Sequence, residues 1–595
     1  MSGQLTPRPS RSRIFGPFVF DEASAELRKY GVRVRLQGQP LQILTALIRQ
    51  PGQVVTRDEF QQQLWKGSTF VDFDHGLHAA MNRLRQALGD SADQPRYIET
   101  LPGRGYRFVA TVQDTDQTIA WVTAALETAG RAQPERGQPS IAVLPFANMS
   151  ADKENEYFSD GLAEEIINLL GRISGLKVIA RTSAFAFKGK HEDIRRIAEA
   201  MDVTNILEGS VRRAGNRIRV TAQLITAVDG SHLWSERYDR ELSDVFAIQD
   251  DIAQAIATSL QVKLSAKPSE YKPKLPAYEA LLRGRYYRPK FTSDAHARAK
   301  ECFEQAIALD PNYAAPHAEL GLNYLLLAPN AVRTLTEVAP LVRAQAQRAL
   351  ELDPSEGNSP FLLGAVAAAH DYDWKAAAGH FAKAMSAISV SAEARWAYAV
   401  HYLRALGFRQ EAVEQMQRAV EQDPLNVAWR AILAHTLSSA EMYDRALEEL
   451  RKALELDESH WLPNFILAET YLESGNLPEA LAAAEKAYRA NPRHSMTWGI
   501  FAAVLARLGE KDRAVALVRE GGESPNPIWG RVLYHLCCSE IDKAASWYER
   551  MIQQREPFAT IFASDSVVKP LRMSGHWPKL ARLMNLPELV LTTQA

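Results

Sequence analysis

Cysteine is scarce in this chain of 595 residues, which contains three: Cys302, Cys537 and Cys538. Three thiols cannot build a disulfide framework, and two adjacent cysteines rarely bridge each other. The pattern excludes a secreted protein that disulfides hold together. It predicts buried thiols in a reducing compartment.

Long apolar runs are also lacking, since no stretch approaches the roughly 20 consecutive apolar residues that cross a bilayer as a helix. The nearest candidate, Thr118–Ala129, is too short and contains Glu127. The first residues, SGQLTPRPSRSR, lack the apolar core of a signal peptide. We therefore expect a cytoplasmic protein with no membrane partner.

The motifs of common enzyme sites are absent as well. Gly189-Lys190 is followed by His191, and Ala184 stands where the first glycine of a phosphate-binding GxxxxGK[ST] loop belongs. There is no HExxH, CxxC or GxSxG motif. The carboxylate pair Asp250-Asp251 lies on a predicted exposed helix. We expect no catalysis, no cofactor and no metal ion.

Charge is unevenly distributed along the chain. Residues 1–110 contain 15 Lys and Arg against 10 Asp and Glu, a formal net of +5. The remaining residues contain 54 and 61, a net of −7. Because duplex DNA is a polyanion, this split predicts that the amino-terminal region meets phosphate and the rest does not.

The stretch that starts at Asp74 predicts an amphipathic helix. Its apolar residues are spaced by four, three and four positions, which places them on one stripe: Leu77, Met81, Leu84 and Leu88. Five residues fall on the opposite side: His75, Ala79, Asn82, Arg83 and Gln86. Such a face can form hydrogen bonds outside its own fold.

A basic hairpin follows this helix. Two β-rich runs, Tyr97–Leu101 and Tyr106–Val109, are joined across Pro102-Gly103-Arg104-Gly105. The pattern places Arg104 at the tip. A helix with a polar outer face followed by a basic hairpin is typical of a winged helix-turn-helix that binds duplex DNA.

The preceding residues fit the same domain. A helical apolar stripe ends at Pro51-Gly52, and Thr56 with Glu59 forms a capping box at the start of the next helix. Ile14–Phe20 and Val32–Leu36 alternate like strands. The stripe consists of Leu41, Leu44, Leu47 and Ile48, and the next helix continues through Phe60, Leu64 and Trp65.

With LRQALGD and IETLPGRGYRF, residues 13–111 resemble the effector domain of OmpR/PhoB-type response regulators, in the variant of CadC-like regulators. The resemblance implies that Gly76–Leu88 enters the major groove of DNA. CadC-like relatives usually carry a membrane span after this domain, whereas residues 112–138 read as a linker. We expect no receiver domain ahead of the winged helix, so the phosphorelay label applies by homology.

The resemblance also implies which residues meet DNA. Asn82 and Arg83 match positions that face bases or phosphates, and asparagine and arginine suit bidentate contacts with adenine and guanine. The chain departs from the family at Leu101-Pro102, where a basic residue is common, so Arg104 must supply the cation of the wing. The expected DNA-facing residues are His75, Ala79, Asn82, Arg83, Gln86 and Arg104. The expected phosphate-backbone residues are Trp65, Arg85, Thr100, Tyr106 and Arg107. A structural salt bridge is an equal alternative for Arg85 and Arg107.

Residues 139–265 have an α/β pattern. Ser140–Phe146 and Leu176–Ala180 predict buried strands, and three further runs between Ile206 and Tyr238 predict antiparallel strands. Helices are predicted over Gly161–Leu170, His191–Met201 and Phe246–Leu260. With LEGSVRR and LITAVDGSHLWSERYDR the region resembles the TolB amino-terminal-like module. We expect Trp234–Arg237 in its core. The arginines Arg212, Arg213, Arg217 and Arg219 are either a solvated face or an anion site.

From residue 276 the chain repeats. Alanines recur every 34 residues at Ala412, Ala446, Ala480 and Ala514. This period resembles the tetratricopeptide repeat, a pair of antiparallel helices that needs small residues where backbones approach. We expect seven or eight units over residues 276–560, an insertion around Ala328–Pro340, and a cap and tail over residues 561–595. Such solenoids bind protein or peptide partners on a concave face, or act as spacers and dimerisation elements.

The predicted fold is multidomain, α+β and all-α: a winged helix, an α/β TolB-like module and an α-solenoid. The predicted function is a one-component, sequence-specific transcriptional regulator of double-stranded promoter DNA. In it the TolB-like and repeat domains sense a ligand or partner, and homo-oligomers bind tandem half-sites. The alternative is an assembly scaffold whose winged helix binds protein.

Overall fold

The computed structural model describes residues 12–15, 18–21, 26–29, 32–34, 36, 38–64, 70–88, 90–92, 95–101, 103–110, 112–114, 138–152, 155–173, 175–190, 192–262, 271–288, 293–328, 332–522 and 527–587. They belong to two compact units, the head (residues 1–126) and the body (residues 127–586). Each unit has its own hydrophobic core.

The head begins with antiparallel strands: β1 (Ser12–Phe15), β2 (Phe18–Asp21), β3 (Glu26–Lys29) and β4 (Val32–Arg33). The single strand predicted over Ile14–Phe20 is wrong, because Phe15 pairs with Phe18 across a reversal of the chain. Both arms of this hairpin are rich in apolar residues, and the Gly16-Pro17 dipeptide between them was the available signal for the reversal.

Three helices and a second sheet complete the head. The helices are α1 (Gln39–Arg49), α2 (Arg57–Leu64) and α3 (Phe70–Leu88). The sheet has the order β5-β7-β6, with β5 (Val54–Thr56), β6 (Ile98–Leu101) and β7 (Gly105–Phe108), and β8 (Gln113–Asp114) pairs with β1. The apolar stripes predicted for α1 and α3 form the core between these layers.

The predicted capping box fixes the start of α2. The Thr56 amide donates to Glu59 Oε2 at 2.7 Å, and the Glu59 amide donates to Thr56 Oγ1 at 3.3 Å. The hydrogen bonds from Thr56 lower the pKa of the Glu59 carboxyl. Amides at a helix start have no partner in the helix, so this reciprocal pair determines where α2 begins.

The first part of the body is a mixed sheet covered by helices. Strand order is β11-β9-β12-β13-β14, with β10 beside β12. The strands are β9 (Ser140–Val143), β10 (Ala147–Asn148), β11 (Lys177–Val178), β12 (Asn205–Ala214), β13 (Arg217–Thr226) and β14 (His232–Glu241). The helices are α4 (Glu156–Gly171), α5 (Arg181–Phe185), α6 (Ile194–Met201) and α7 (Val245–Ser259).

The antiparallel strands and three of these helices follow the sequence prediction, whereas α5 was not predicted. The expectation that Trp234–Arg237 lies in the core is wrong for most of the stretch. Ser235, Glu236 and Arg237 are exposed, and Trp234 is half-buried. The stretch belongs to β14, which ends the sheet and pairs on one side only with β13.

The rest of the body consists of eight successive helix pairs among the described residues, called repeats 1 to 8. Their bounds are Leu275–Tyr287 and Ser293–Leu309, Ala314–Leu327 and Leu335–Leu352, Ser359–Val366 and Trp374–Met385, Ala392–Ala397 and Arg409–Gln422, Val427–Ser439 and Tyr443–Leu456, Trp461–Glu473 and Leu477–Ala490, Ser495–Arg507 and Lys511–Gly521, and Ile528–Cys537 and Ile541–Gln553. The first helices of repeats 3 and 4 continue as π-helix over Ala367–Asp371 and Tyr398–Leu403.

The alanines spaced by 34 residues lie in the second helices of repeats 4 to 7. Ala412, Ala446, Ala480 and Ala514 are each fully buried. The insertion predicted around Ala328–Pro340 is shorter than expected, because Pro340 lies inside the second helix of repeat 2. Thr334 and Glu337 begin that helix with a capping box.

The sheet region and the repeats share one core. Tyr278 and Leu282, from the first helix of repeat 1, belong to the hydrophobic cluster of the sheet region. Gly161 of α4 lies so close to Leu282 that a Cβ there would meet its side chain at 2.7 Å. Among the described residues, no helix is long and apolar enough to cross a membrane.

The chain after repeat 8 folds back over the repeats. This closing segment (residues 556–586) contains the short helices Phe558–Ile561, Lys569–Arg572 and Trp577–Leu583. Phe562 stacks on Trp529 of repeat 8 with ring centroids 4.2 Å apart. The Trp374 indole of repeat 3 donates to the Met584 carbonyl at 2.9 Å.

Candidate nucleic-acid interface

Helix α3 buries one face and exposes the other. Its predicted stripe, Leu77, Met81, Leu84 and Leu88, is at most 2% exposed. On the opposite face Ala79, Asn82, Arg83 and Gln86 are exposed. His75 lies in α3, but its side chain is outside the described residues. The sequence thus placed four of the five residues of this face correctly on the surface.

The hairpin tip presents Arg104 to solvent. The Arg104 amide donates to the Leu101 carbonyl at 3.0 Å, which closes the turn between β6 and β7. Gly103 has φ +73°, a conformation that costs glycine little. A Cβ at Gly105 would lie 2.1 Å from the Val55 carbonyl oxygen, so only glycine lets β7 approach β5 there.

Arg85 is on the inner side of α3 and is 8% exposed. Its Nη2 donates to the Ile98 carbonyl at 3.0 Å and to Thr100 Oγ1 at 2.6 Å. These bonds attach α3 to the first strand of the hairpin. Arg85 and Thr100 were both predicted to meet the phosphate backbone, and the structure instead pairs them with each other.

Tyr106 and Arg107 are also held within the fold. Tyr106 is 1% exposed, and its ring packs edge-on against Phe60 at 6.2 Å. Arg107 Nε donates to Glu99 Oε2 at 2.8 Å across the hairpin. Of the two readings for Arg107, the structure contains the salt bridge. Trp65, the remaining predicted backbone residue, lies outside the described residues.

Asp90 organises the connection between α3 and β6, a role that was not predicted from the sequence. Its carboxylate accepts hydrogen bonds from the amides of Arg96 at 2.7 Å and Ile98 at 2.8 Å. Asp90 therefore fixes the hairpin relative to α3. An aspartate two residues after the last apolar position of the helix, followed by a polar gap, was the available signal.

The arginines of the sheet region are paired rather than gathered into an anion site. Arg213 contacts Glu279 at 2.7 Å, and Arg217 and Arg219 contact Asp239 at 2.7 and 2.6 Å. Hydrogen bonds from Arg217, the larger effect, and from Arg219 lower the pKa of Asp239 to about 2. These pairs support the alternative of a solvated face.

Among the described residues of the repeats, no preformed metal site occurs. No group of three His, Cys, Asp or Glu side chains suited to a metal ion occurs in the described ranges. Cys302, Cys537 and Cys538 are free thiols. Burial raises the pKa of the Cys302 thiol. The sequence predicted buried thiols, whereas all three cysteines are half-buried.

The closing segment lies against repeats 2 to 8, mainly beside their first helices. Pro557 lines a small apolar pocket with Leu325, Ala365 and Trp396, of repeats 2, 3 and 4. The Phe562 ring packs against the His435 ring of repeat 5, with ring centroids 5.5 Å apart. Contacts to repeats 6, 7 and 8 come from Ser566 to Glu473, Phe558 to His494 and Phe562 to Trp529.

These contacts identify the closing segment as the occupant of the inner surface of the solenoid. Seven helices side by side, at roughly 8–10 Å each, would extend about 50–60 Å in a straight row. The stretch from Pro557 to Ser566 reaches at most about 35 Å even when extended. The row of first helices must therefore curve around it, so the concave face expected to receive partners holds the chain's own closing segment.

Known protein families match segments of both the head and the body. Residues 31–108 match the family "Transcriptional regulatory protein, C terminal", and residues 137–255 match "HilA/YgeH-like transcriptional regulator, second domain". Residues 292–313 and 431–460 match the tetratricopeptide repeat. The chain therefore contains an OmpR/PhoB-type winged helix, a domain like that of HilA regulators and tetratricopeptide repeats. The TolB-like assignment stays a prediction.

Individual relatives cover different parts of the chain. A Rhizobium meliloti protein named "Putative adenylate cyclase 3" is 43% identical over 236 residues, 38% of this chain and 40% of that protein. "Transcriptional regulator HilA" of Salmonella typhimurium is 22% identical over 427 residues, 71% of this chain and 72% of that protein. The "Cholera toxin transcriptional activator" of Vibrio cholerae is 31% identical over 156 residues, 25% of this chain and 53% of that protein.

Proposed function

We propose that this chain is a sequence-specific DNA-binding transcriptional regulator. The observation that carries the proposal is the exposed face of α3, where Asn82, Arg83 and Gln86 stand opposite a fully buried stripe. A helix held in this way offers hydrogen-bonding side chains to the major groove. The winged-helix match and relatives named as transcriptional regulators support the same function.

The proposed contact surface is smaller than the sequence suggested. Asn82 and Arg83 supply base contacts, with Gln86 and Ala79 beside them, and Arg104 supplies the cation of the wing. We leave Arg85 and Tyr106 out of this surface because their side chains are buried. With few phosphate contacts, the head binds DNA weakly, and its affinity falls with salt in proportion to those few contacts. Pairing of two chains on tandem half-sites would raise that affinity.

In this proposal the body binds a partner or ligand and does not act as an enzyme. Relatives named as regulators support a non-enzymatic reading, although one relative carries a cyclase name. Since the inner surface of the solenoid is occupied, a protein partner uses the outer surface or displaces the closing segment. We place the protein in the cytoplasm.

Selection of bound sequences from random duplexes by the full chain tests the function. A regulator yields an enriched motif, and the selected duplex binds at least tenfold more tightly than a scrambled duplex at one salt concentration. Equal binding of both duplexes overturns the proposal. Recovery of protein partners that survives nuclease treatment, without an enriched motif, would favour the scaffold that binds protein through its winged helix.

A further inference from the structure

A pocket of about 300 Å³ lies between repeats 6, 7 and 8 and the closing segment. Glu469 and Glu473 come from the first helix of repeat 6, and Leu536 and Cys537 come from repeat 8. The closing segment contributes a wall that contains Ser566. The volume is at the lower end of the range for small-molecule sites.

Glu469 is a buried carboxylate with an unused oxygen at this pocket. It is 6% exposed, and its Oε2 lies 3.2 Å from His435 Nε2. Its Oε1 accepts no hydrogen bond from any of the described residues. A buried carboxylate oxygen without a donor costs free energy, so this atom calls for a donor supplied from the pocket.

A second carboxylate lies one helical turn away. Glu473 follows Glu469 by four residues on the same helix, a spacing that places the two Cβ atoms roughly 5–6 Å apart. One of its oxygens accepts the Ser566 hydroxyl at 2.5 Å. The nearby Asp565 is occupied by Arg404 and His435. Two acidic side chains thus share a pocket wall with one imidazole between Glu469 and Asp565.

Cationic groups from the protein do not balance this pair. Among the described residues that line the pocket, Arg507 is the one cationic side chain, and it is exposed at the end of the first helix of repeat 7. The remaining wall is apolar or weakly polar, with Ile500, Leu536 and Pro570. The pocket therefore combines excess negative charge at one side with an apolar surface at the other.

From this arrangement we propose that the pocket binds a small organic cation, a primary amine with a compact apolar part. An ammonium group has three donors and can bond Glu469 Oε1 and Glu473 together. The apolar part lies against Ile500 and Leu536. A bare metal ion fits less well, because the described residues around the pocket do not offer three suitable ligands.

Binding of such a cation connects the closing segment to the repeats. Ser566 belongs to the closing segment and already bonds Glu473, so a ligand between Glu469 and Glu473 strengthens the same junction. The inference concerns the body alone and does not depend on DNA binding by the head. A negative result here leaves the proposed function standing, and loss of the proposed function leaves this site standing.

Calorimetric titration of the full chain with cyclohexylamine tests the proposal. Cyclohexanol has the same shape without charge, and cyclohexanecarboxylate has the opposite charge. We expect cyclohexylamine to bind at least tenfold more tightly than cyclohexanol, and the carboxylate not to bind. Equal binding of the amine and the alcohol overturns the proposal.

Two variants test whether the amine binds in this pocket. Glu469→Gln keeps the shape and removes the charge, and we expect at least a tenfold loss of amine affinity. The matched control Glu485→Gln changes a half-exposed glutamate on the second helix of repeat 6, away from the residues that line the pocket, and keeps full affinity. If Glu469→Gln does not fold, Cys537→Met fills the pocket without changing its charge and also weakens binding. Unchanged affinity in a folded variant of either kind refutes the site.

Discussion

The Arg404 guanidinium donates to the carboxylate of Asp565, 161 residues further along the chain. Their side chains are 1% and 3% exposed, so this is a buried ion pair inside the solenoid. His435 lies beside it, with Nε2 3.3 Å from Asp565 Oδ2. The pair joins repeat 4 to the closing segment, which makes the segment part of the folded body.

Removal of one partner leaves the other charge buried and unpaired. We expect Arg404→Met to lower the free energy of unfolding of the body by about 3–5 kcal/mol. Chemical denaturation followed by tryptophan fluorescence measures this change. The double variant Arg404→Met with Asp565→Leu should regain most of the loss, because no unpaired charge remains. A double variant as unstable as the sum of the single variants would contradict this account.

Glu556, at the start of the closing segment, makes the body less stable at higher pH. Burial raises the pKa of its carboxyl from 4.5 to about 7 in the folded chain. The folded state therefore holds this proton more tightly than the unfolded state. The resulting stability is present below pH 4.5 and is lost as the pH rises through about 7.

Glu556→Gln should therefore raise the free energy of unfolding at pH 8 by about 2–3 kcal/mol and have a much smaller effect at pH 5. Denaturation of wild type and variant at the two pH values measures the difference. The control Glu485→Gln removes a half-exposed carboxylate that pairs with Arg489 on the surface, and it should leave the free energy of unfolding nearly unchanged at both pH values. An equal effect of Glu556→Gln at both pH values would mean that the carboxyl does not titrate between them.

Arg83 and Arg104 should affect DNA binding in different ways. Arg83→Ala should cost about 1–3 kcal/mol of discrimination between selected and scrambled duplexes. Arg104→Ala should lower the affinity for the selected and the scrambled duplex by the same factor. It should also reduce the slope of log affinity against log salt by about one. Fluorescence anisotropy at several salt concentrations measures both quantities. Arg96→Ala removes an exposed arginine of the head outside the proposed surface and should change neither.

Arg85→Ala should act on the stability of the head. The variant loses two hydrogen bonds, to Ile98 and Thr100, and leaves the Ile98 carbonyl without this donor. We expect a loss of about 2 kcal/mol in the free energy of unfolding of the head. Near-normal discrimination between duplexes should persist in the folded fraction. A stable variant with lost DNA affinity would return Arg85 to the contact surface.

Hydrogen bonds between Ser183 and Asp423 join the sheet region to repeat 4, and their loss should loosen this contact locally. The Ser183 amide and hydroxyl both donate to Asp423 Oδ1, at 2.9 and 2.5 Å. Ser183→Ala should cost about 1 kcal/mol and increase hydrogen exchange around α5 and residues 420–426. Ser243→Ala, at an exposed serine of the same region, is the control. Unchanged exchange around α5 would show that the junction rests on other contacts.

Local patterns in the sequence predicted much of the fold. The stripe of α3, the Thr56–Glu59 capping box and the alanine period depend on residues within one or two helical turns of each other, or on a repeat of such units. The hairpin between Phe15 and Phe18 was missed although a turn dipeptide, Gly16-Pro17, separates its two apolar arms in the sequence.

The sequence by itself determined which segments form a winged helix, a sheet region and a solenoid, since periodicity and capping act between near neighbours. Only the tertiary structure decided which polar groups face solvent. The Arg85 side chain bonds Thr100 inside the head and does not face solvent. The closing segment fills the inner surface of the solenoid and is held there by pairs such as Arg404 and Asp565. Burial depends on contacts between distant parts of the chain, and no local pattern carries that information.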